Sequence, residues 1–227
     1  MIIHDISQPL APSTAAYPGD PLFRQRWAMR RERGDPVNLT EITMGVHNGT
    51  HVDGPGHAHD VEAPIGFEPL QPYIGLARVV HLVGAAALDA GLLDGIDVRR
   101  TPRILFRSRQ HVDARTFPKD FAGLTPALAR RLVEMGAVLV GTDAPSVDPA
   151  GSEQLEAHRI LVEGRVAILE NAVLDGVPEG EYVLVALPLR LTEADSSPVR
   201  AVLIQPDGSA DGAGPDVGGL VDFRTGA

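Results

Sequence analysis

The segment from His47 to His57 constrains the fold of this chain more than any other stretch of its sequence. It holds three imidazoles and one carboxylate, at positions 47, 51, 57 and 53. Imidazole and carboxylate groups are ligands of borderline transition metals such as zinc. The fold is therefore expected to gather these groups, and the sequence predicts a metal site there.

The spacing of these groups favours an extended, bent backbone over a helix. Gly49, the β-branched Thr50 and Val52, and the run 54–56 (Gly-Pro-Gly) all disfavour a helix. On a strand, the side chains of residues 51 and 53 would share a face and lie about 7 Å apart. Residues 47 and 53 would be about 20 Å apart on a straight strand. We therefore predict that Gly49 lets the chain fold back and that the two glycines of 54–56 bend it again.

The composition of the chain limits its partners and its metal chemistry. With 227 residues, 44% of them hydrophobic, the chain can bury one core. Its net charge of −10 disfavours nucleic acid and anionic membranes as partners. Cysteine is absent, so any metal must be held by histidine and carboxylate. No apolar run approaches ~18 residues and the N-terminus has no signal-peptide pattern, so we expect a cytoplasmic protein.

Short apolar runs that alternate with helical patterns predict an α/β fold. The predicted strands cover residues 2–10, 37–46, 76–84, 103–107, 137–142, 166–171, 181–187 and 199–204. Helices should cover the mixed sheet that these strands form. We predict one domain over residues 1–205. Residues 206–227 have turn-rich composition, which predicts a flexible tail or an arm that contacts a neighbouring subunit.

Two helices are predicted between the later strands. The first begins at an N-cap, Thr125, and ends at Gly136. The second is predicted to be capped by Ser152 and to run through His158 to about residue 164. Glu170 ends the next strand, so a short turn could set its carboxylate beside His158. Taken alone, either side chain also fits an ordinary salt bridge or a solvated surface.

The pattern of residues 47–57 resembles that of a known family. It matches every fixed position of His-x-Gly-Thr-His-x-Asp-x-Pro-x-His, which is typical of the cyclase family of metal-dependent amidohydrolases. The resemblance extends over about residues 3–204 and includes Tyr17-Pro-Gly-Asp, Asp143-Ala-Pro-Ser, Ala157-His158 and Ile168-Leu-Glu170. It implies the family's swivelling β/β/α fold, a single domain with a mixed sheet or partial barrel covered by helices. It also implies a homodimer or a homotetramer.

The resemblance implies a dinuclear metal site. His47 and His51 would bind one zinc ion, and His158 would bind a second. Asp53 would reach both ions, and Glu170 would bridge them again. Zinc is the expected metal, with manganese as the alternative.

The resemblance also implies an activity, the hydrolysis of N-formyl-L-kynurenine to L-kynurenine and formate in tryptophan degradation. His57 would be the acid/base residue and not a ligand. Formamidases of the family commonly carry tryptophan where this chain has Tyr17, so Tyr17 is the candidate to face the aromatic substrate. Two alternatives stay open. One is hydrolysis of a cyclic amide or lactone such as isatin, and the other is a non-catalytic metal-binding protein.

Overall fold

A computed structural model describes residues 1–59 and 63–205 of the protein, and the predicted tail lies outside these ranges. The described chain contains eleven strands and two α-helices. The strands are β1 (Ile2–Asp5), β2 (Arg24–Met29), β3 (Leu39–Thr43), β4 (His51–Asp53), β5 (Ile74–His81), β6 (Arg103–Arg107), β7 (Leu139–Thr142), β8 (Ala167–Glu170), β9 (Gly180–Val185), β10 (Ser196–Pro198) and β11 (Val202–Gln205). The helices are α1 (Pro126–Met135) and α2 (Glu156–Glu163).

Nine strands form one mixed sheet that curls into a half-barrel, in the order β1-β11-β9-β5-β6-β7-β8-β4-β10. The central strands β5, β6, β7 and β8 are parallel to one another, and they pair with β9 on one side and β4 on the other in antiparallel fashion. Parallel strands need crossover connections, and α1 and α2 provide those on either side of β7. The α/β prediction, with helices over a mixed sheet, is therefore confirmed.

Both faces of the central sheet are buried, which explains the nearly continuous apolar character of these strands. Ile104 and Phe106 of β6 point into the core that the helices cover, which also contains Leu128 of α1 and Leu161 of α2. Leu105, between them on β6, belongs to the core on the opposite face. The two cores together hold the central strands rigidly, and the candidate site residues are attached to their ends.

The predicted bounds of α1 are confirmed, but the predicted cap of α2 is wrong. The Thr125 side chain accepts a hydrogen bond from the amide of Leu128, and the residue that follows α1, Gly136, is left-handed (φ 85°). At α2, Ser152 lies four residues before the helix, and the residue just before the helix has no capping side chain. Asp148 in the preceding loop caps the helix instead, because its carboxylate accepts hydrogen bonds from the amides of the second and third helical residues.

Two strand predictions also need correction. The first strand ends at Asp5 and not at residue 10, because the chain leaves the sheet there and the amide of Gln8 donates to the Thr50 hydroxyl. Proline at position 9 could not have donated to a ladder in any case. The predicted strand 37–46 is only β3, and it pairs with β2 outside the main sheet. Every residue of this β2–β3 ribbon is exposed, and β2 itself was not predicted.

None of the helices in the described ranges has the length and apolar character that a membrane crossing requires.

Candidate metal centre and its cavity

Residues 47–57 form a turn, a short strand and a 3-10 turn. His51 and Asp53 lie on β4 and share a face, while Val52 between them is buried in the core. Gly49 has a φ of +68°, in the left-handed region that glycine adopts without strain, and folds the chain back toward His47. The prediction for this glycine is confirmed. A side chain there would also meet the Leu10 methyl group at 2.8 Å.

Gly54 serves a different purpose from the predicted bend. Its backbone is extended (φ −88°, ψ 165°), so its conformation does not require glycine. Its amide donates to the carbonyl of Asp195 at 2.7 Å, and a Cβ atom would lie 2.7 Å from that oxygen. Glycine is needed here because the backbone of residue 195 comes so close. The 3-10 turn Pro55–His57 then carries the next imidazole.

The sheet brings the second half of the chain onto this segment. Strand β8 is antiparallel to β4, and Glu170 lies directly opposite His51. Helix α2 precedes β8 and carries His158, which is buried. The structure thus gathers His47, His51, Asp53, His158 and Glu170 in one cluster, although more than one hundred residues separate their two halves in the sequence.

Each carboxylate of the cluster faces imidazoles on two sides. One oxygen of Asp53 lies 3.2 Å from His47 Nδ1 and 3.4 Å from His51 Nε2, and the other lies 3.4 Å from His158 Nε2. Glu170 repeats the arrangement, with Oε2 at 3.4 Å from His51 Nε2 and Oε1 at 3.2 Å from His158 Nε2. Both carboxylates therefore lie between His51 Nε2 on one side and His158 Nε2 on the other.

The polar atoms at the centre of this cluster fit metal ions. His51 Nε2, His158 Nε2 and Asp53 Oδ2 are buried, and none has a hydrogen-bond partner within the described residues. Burying an unpaired polar atom costs about 1–3 kcal/mol, so such atoms require an explanation. Imidazole nitrogens and carboxylate oxygens that converge at 3–4 Å are a donor set that zinc or manganese can use.

The outer atoms of the cluster are held by the surrounding chain. His158 Nδ1 lies 2.6 Å from the Asp148 carboxylate, and His51 Nδ1 lies 2.9 Å from the carbonyl of Gly49. The Ser196 hydroxyl donates to Asp53 at 2.9 Å, and the amide of Val147 donates to Glu170 at 2.7 Å. Such contacts fix the orientation of the rings and carboxylates.

His57 lies beside the cluster and shares a carboxylate with it. Its Nδ1 atom is 3.1 Å from Asp195 Oδ2, and the same oxygen is 2.8 Å from His47 Nε2. The rings of His57 and His47 are 4.2 Å apart between centroids. Donor atoms of Asp53, His57 and His158 also lie within 4.8 Å of one another. Geometry alone therefore permits His57 to be a neighbour of the metal site or a member of it.

The charges of the cluster favour a bound cation. Burial opposes protonation of His47, but hydrogen bonds to Asp195 and Asp53 outweigh it and raise the pKa of His47 to about 10. Burial likewise opposes protonation of His158, yet its hydrogen bond to Asp148 and the nearby carboxylates of Asp53 and Glu170 raise its pKa well above the usual value. The hydrogen bonds from His47 and His57 hold the pKa of Asp195 far below its usual range. Without metal, the imidazoles keep protons because the buried carboxylates need positive charge.

The cluster forms the floor of a cavity of about 420 Å³, a size typical of small-molecule sites. The rings of Tyr17 and Phe117 lie on its wall, edge to face, with centroids 5.3 Å apart. Tyr17 is half exposed, so its ring is accessible to a ligand. The structure therefore places Tyr17 on the wall of a cavity that is also lined by other predicted site residues, namely His47, His51, His57, His158 and Glu170.

Sequence reasoning missed Asp148 and Asp195. Asp148 lies eight residues before α2, so the N-cap preference for aspartate, which applies to the residue next to a helix, did not identify it. Asp195 lies between β9 and β10 and had no local signal either. Strand β10 was not predicted, and its pairing with β4 is what brings residue 195 to position 57.

Comparison with known proteins agrees with this geometry. Residues 4–149 match the family model Cyclase, whose description is "Putative cyclase". The kynurenine formamidase of Bordetella petrii is 39% identical over 209 residues, which cover 88% of this chain and 96% of that protein. A solved structure titled as a potential metal-dependent hydrolase with cyclase activity has a TM-score of 0.77 and 25% identity, and covers 90% of this chain and 99% of its own.

The fold is also that of isatin hydrolase A from Ralstonia solanacearum. That structure has a TM-score of 0.75 and covers 90% of this chain and 92% of its own. Its sequence is 20% identical, which supports the fold alone.

Proposed function

The chain belongs to the cyclase family, and on that premise we propose that it is a metal-dependent hydrolase that converts N-formyl-L-kynurenine to L-kynurenine and formate. The observation that carries the proposal is the pair of buried carboxylates, Asp53 and Glu170, each of which faces imidazoles on two sides. The similarity to the kynurenine formamidase of Bordetella petrii supports the choice of substrate.

The proposed cofactor is a pair of zinc ions, with manganese as the alternative. His47 and His51 would hold one ion and His158 the other, with Asp53 and Glu170 shared between them. When bound, such ions supply an activated water at neutral pH and polarise a carbonyl group. The buried, unpaired nitrogens of His51 and His158 support this assignment, since each would be satisfied by one of the two ions.

His57 is proposed as the residue that moves the proton. Its Nδ1 atom lies 3.1 Å from the Asp195 carboxylate, so Nδ1 carries a hydrogen and Nε2 is left to exchange a proton. His57 lines the cavity together with His47. It would accept a proton from the attacking water and deliver it to the nitrogen that leaves the formyl group, as a general acid and base. An imidazole that Asp195 holds beside the metal site and that lines the cavity also favours an enzyme over a non-catalytic metal-binding protein.

A substrate comparison tests the proposed function. The purified, zinc-loaded chain should release formate from N-formyl-L-kynurenine, and a chelator should abolish the reaction. Isatin serves as the competing substrate, because the fold is shared with an isatin hydrolase. Faster hydrolysis of isatin, or activity that survives complete removal of metal, would contradict the proposal.

The β2–β3 ribbon supports a proposal about assembly, in which two copies of the chain associate through it as a homodimer or within a homotetramer. Trp27 and Ile42 lie on one face of the ribbon and are 40% and 56% exposed. An isolated two-stranded ribbon is marginally stable in water, so a covering partner would explain its order. Changing both residues to glutamate should halve the mass in light scattering, which for a dimer leaves one chain of 24.1 kDa. A wild-type protein that is itself monomeric would refute the proposal.

The proposal assigns the enzyme to the cytoplasm, with a small molecule as its substrate and no nucleic-acid or membrane partner. The net charge of −10 supports the exclusion of anionic partners. Cell fractionation with an antibody against the chain tests this placement. Recovery of the protein with membranes or nucleic acid would contradict it.

A further inference from the structure

A single guanidinium group lines the cavity. Of the described residues on its wall, Arg109 is the only lysine or arginine, and the other charged groups there are carboxylates and the imidazoles of the floor. No described carboxylate lies within ion-pair distance of the Arg109 guanidinium. Within the described ranges its guanidinium makes a single hydrogen bond, from Nη1 to the carbonyl of Asp143, which is long at 3.4 Å. The cavity wall thus carries one cationic side chain, and most of its N–H groups are available to donate hydrogen bonds to a ligand.

The backbone around Arg109 is fixed more firmly than its side chain. Both carboxylate oxygens of Asp143 accept hydrogen bonds, from the amides of Ser108 and Arg109 and from the Ser108 hydroxyl, at 2.7–3.1 Å. Asp143 is itself fully buried. A buried carboxylate that accepts four hydrogen bonds is a rigid support, so the start of the Arg109 side chain is held in place.

The topology sets Arg109 at a suitable distance from the candidate metal centre. Strands β6, β7 and β8 are parallel neighbours, so their carboxyl ends lie at one edge of the sheet. Arg109 follows β6 by two residues, and Glu170 ends β8. One strand separates them, which corresponds to about 10 Å across the sheet at ~4.8 Å per strand. The guanidinium and the floor of the cavity therefore border the space of one small molecule.

We propose that Arg109 binds the α-carboxylate of the substrate and so selects formylated aromatic amino acids over neutral aromatic amides. This inference rests on the proposed function for the reacting end of the substrate. The planar guanidinium matches a carboxylate with two parallel hydrogen bonds. Tyr17 and Phe117 offer aromatic faces on the same wall for the ring between the two ends. A cyclic amide such as isatin has no carboxylate for Arg109 to bind.

The test compares two substrates that differ only in the amino-acid group, N-formyl-L-kynurenine and N-(2-acetylphenyl)formamide. For Arg109→Gln, the ratio of their kcat/KM values should fall roughly 10–100-fold, because a hydrogen-bonded pair of charges is lost. The loss should appear mainly in KM for N-formyl-L-kynurenine. Arg109→Lys should recover part of the ratio, since it keeps the charge without the planar fork. Arg130→Gln, on the exposed surface of α1, is the matched control and should leave the ratio unchanged.

A binding measurement separates this inference from the proposed function. Calorimetry should show that L-kynurenine binds the zinc-loaded wild type more tightly than Arg109→Gln, by a similar factor, whether or not the chain turns over either formamide. Binding that depends on Arg109 in a chain that hydrolyses neither formamide would refute the function and keep the inference. Equal affinity of the two proteins for L-kynurenine, no binding by the wild type, or an unchanged substrate ratio would overturn the inference.

Discussion

The floor and the wall of the cavity are built in different ways. On the floor, His51, Asp53, His158 and Glu170 are at most 5% exposed, and strands or a helix carry them. On the wall, Tyr17 is 52% exposed and lies in a loop. A floor on rigid elements can hold reacting groups precisely, whereas loop residues can change without disturbing the core. Under the proposed function, the floor would fix the reaction and the wall would select the substrate.

The largest effect should follow from removing a ligand from the floor. In His158→Ala, metal content should fall from about two ions per chain to about one, and hydrolysis should be lost. The physical reason is that His158 Nε2 is the imidazole nitrogen that faces the second oxygen of both Asp53 and Glu170. Elemental analysis and the formate assay measure the two outcomes.

The matched control for this substitution is His111→Ala. The His111 side chain is 74% exposed and pairs with Asp175 outside the cavity. The His111→Ala protein should keep full metal content and full activity. A His158→Ala protein that matches this control in both measurements would show that the floor does not bind a second ion through His158.

The next effect should separate proton transfer from metal binding. In His57→Ala, kcat should fall about 10²–10⁴-fold, the usual contribution of a general acid or base, while metal content stays the same. Measuring both quantities in one preparation matters, because donor atoms of Asp53, His57 and His158 lie within 4.8 Å of one another. Loss of an ion from this variant would instead identify His57 as a ligand.

A smaller effect is expected from the layer that supports the floor. Asp148 lies 2.6 Å from His158 Nδ1 and also accepts the amide hydrogens of Ala157 and His158. Asp148→Asn should weaken metal binding about 10–100-fold, since it removes the charge that orients the ring. Competition with a chelator measures this change, and kcat at saturating metal should be largely recovered. Asp94→Asn, at an exposed ion pair, is the control.

The parts of the floor differ in how well the sequence predicts them. The segment 47–57 keeps several groups within a short stretch, so its spacing and glycines predicted a bent metal site. A predicted helix and strand joined by a short turn suggested that His158 and Glu170 lie side by side. Only the resemblance to a family identified them as candidate metal ligands. The structure brings all five candidate ligands together, as that resemblance implied.

Other features depend on contacts that no local pattern encodes. Asp195 reaches His57 because β10 pairs with β4, and a three-residue strand such as Ser196–Pro198 has no detectable periodicity. For a related reason β3 was predicted as a strand, but its partner β2 and its separation from the main sheet were not. Alternation of polar and apolar residues predicts a strand but does not say which sheet it joins, and in the β2–β3 ribbon neither face packs on the core.

The smallest effects should come from the wall. Tyr17→Ala should raise KM for N-formyl-L-kynurenine roughly two- to ten-fold, because an aromatic contact contributes about 0.5–1.5 kcal/mol. Tyr17→Phe should stay close to wild type if the ring face is what contacts the substrate, and Tyr17→Trp should lower KM. In all three variants metal content should stay the same, because the Tyr17 ring packs on Phe117 and makes no ring contact or side-chain hydrogen bond with the floor cluster within the described chain. A fall in kcat or in metal content from any of them would mean that floor and wall are not separable, and that Tyr17 helps to hold the reacting groups.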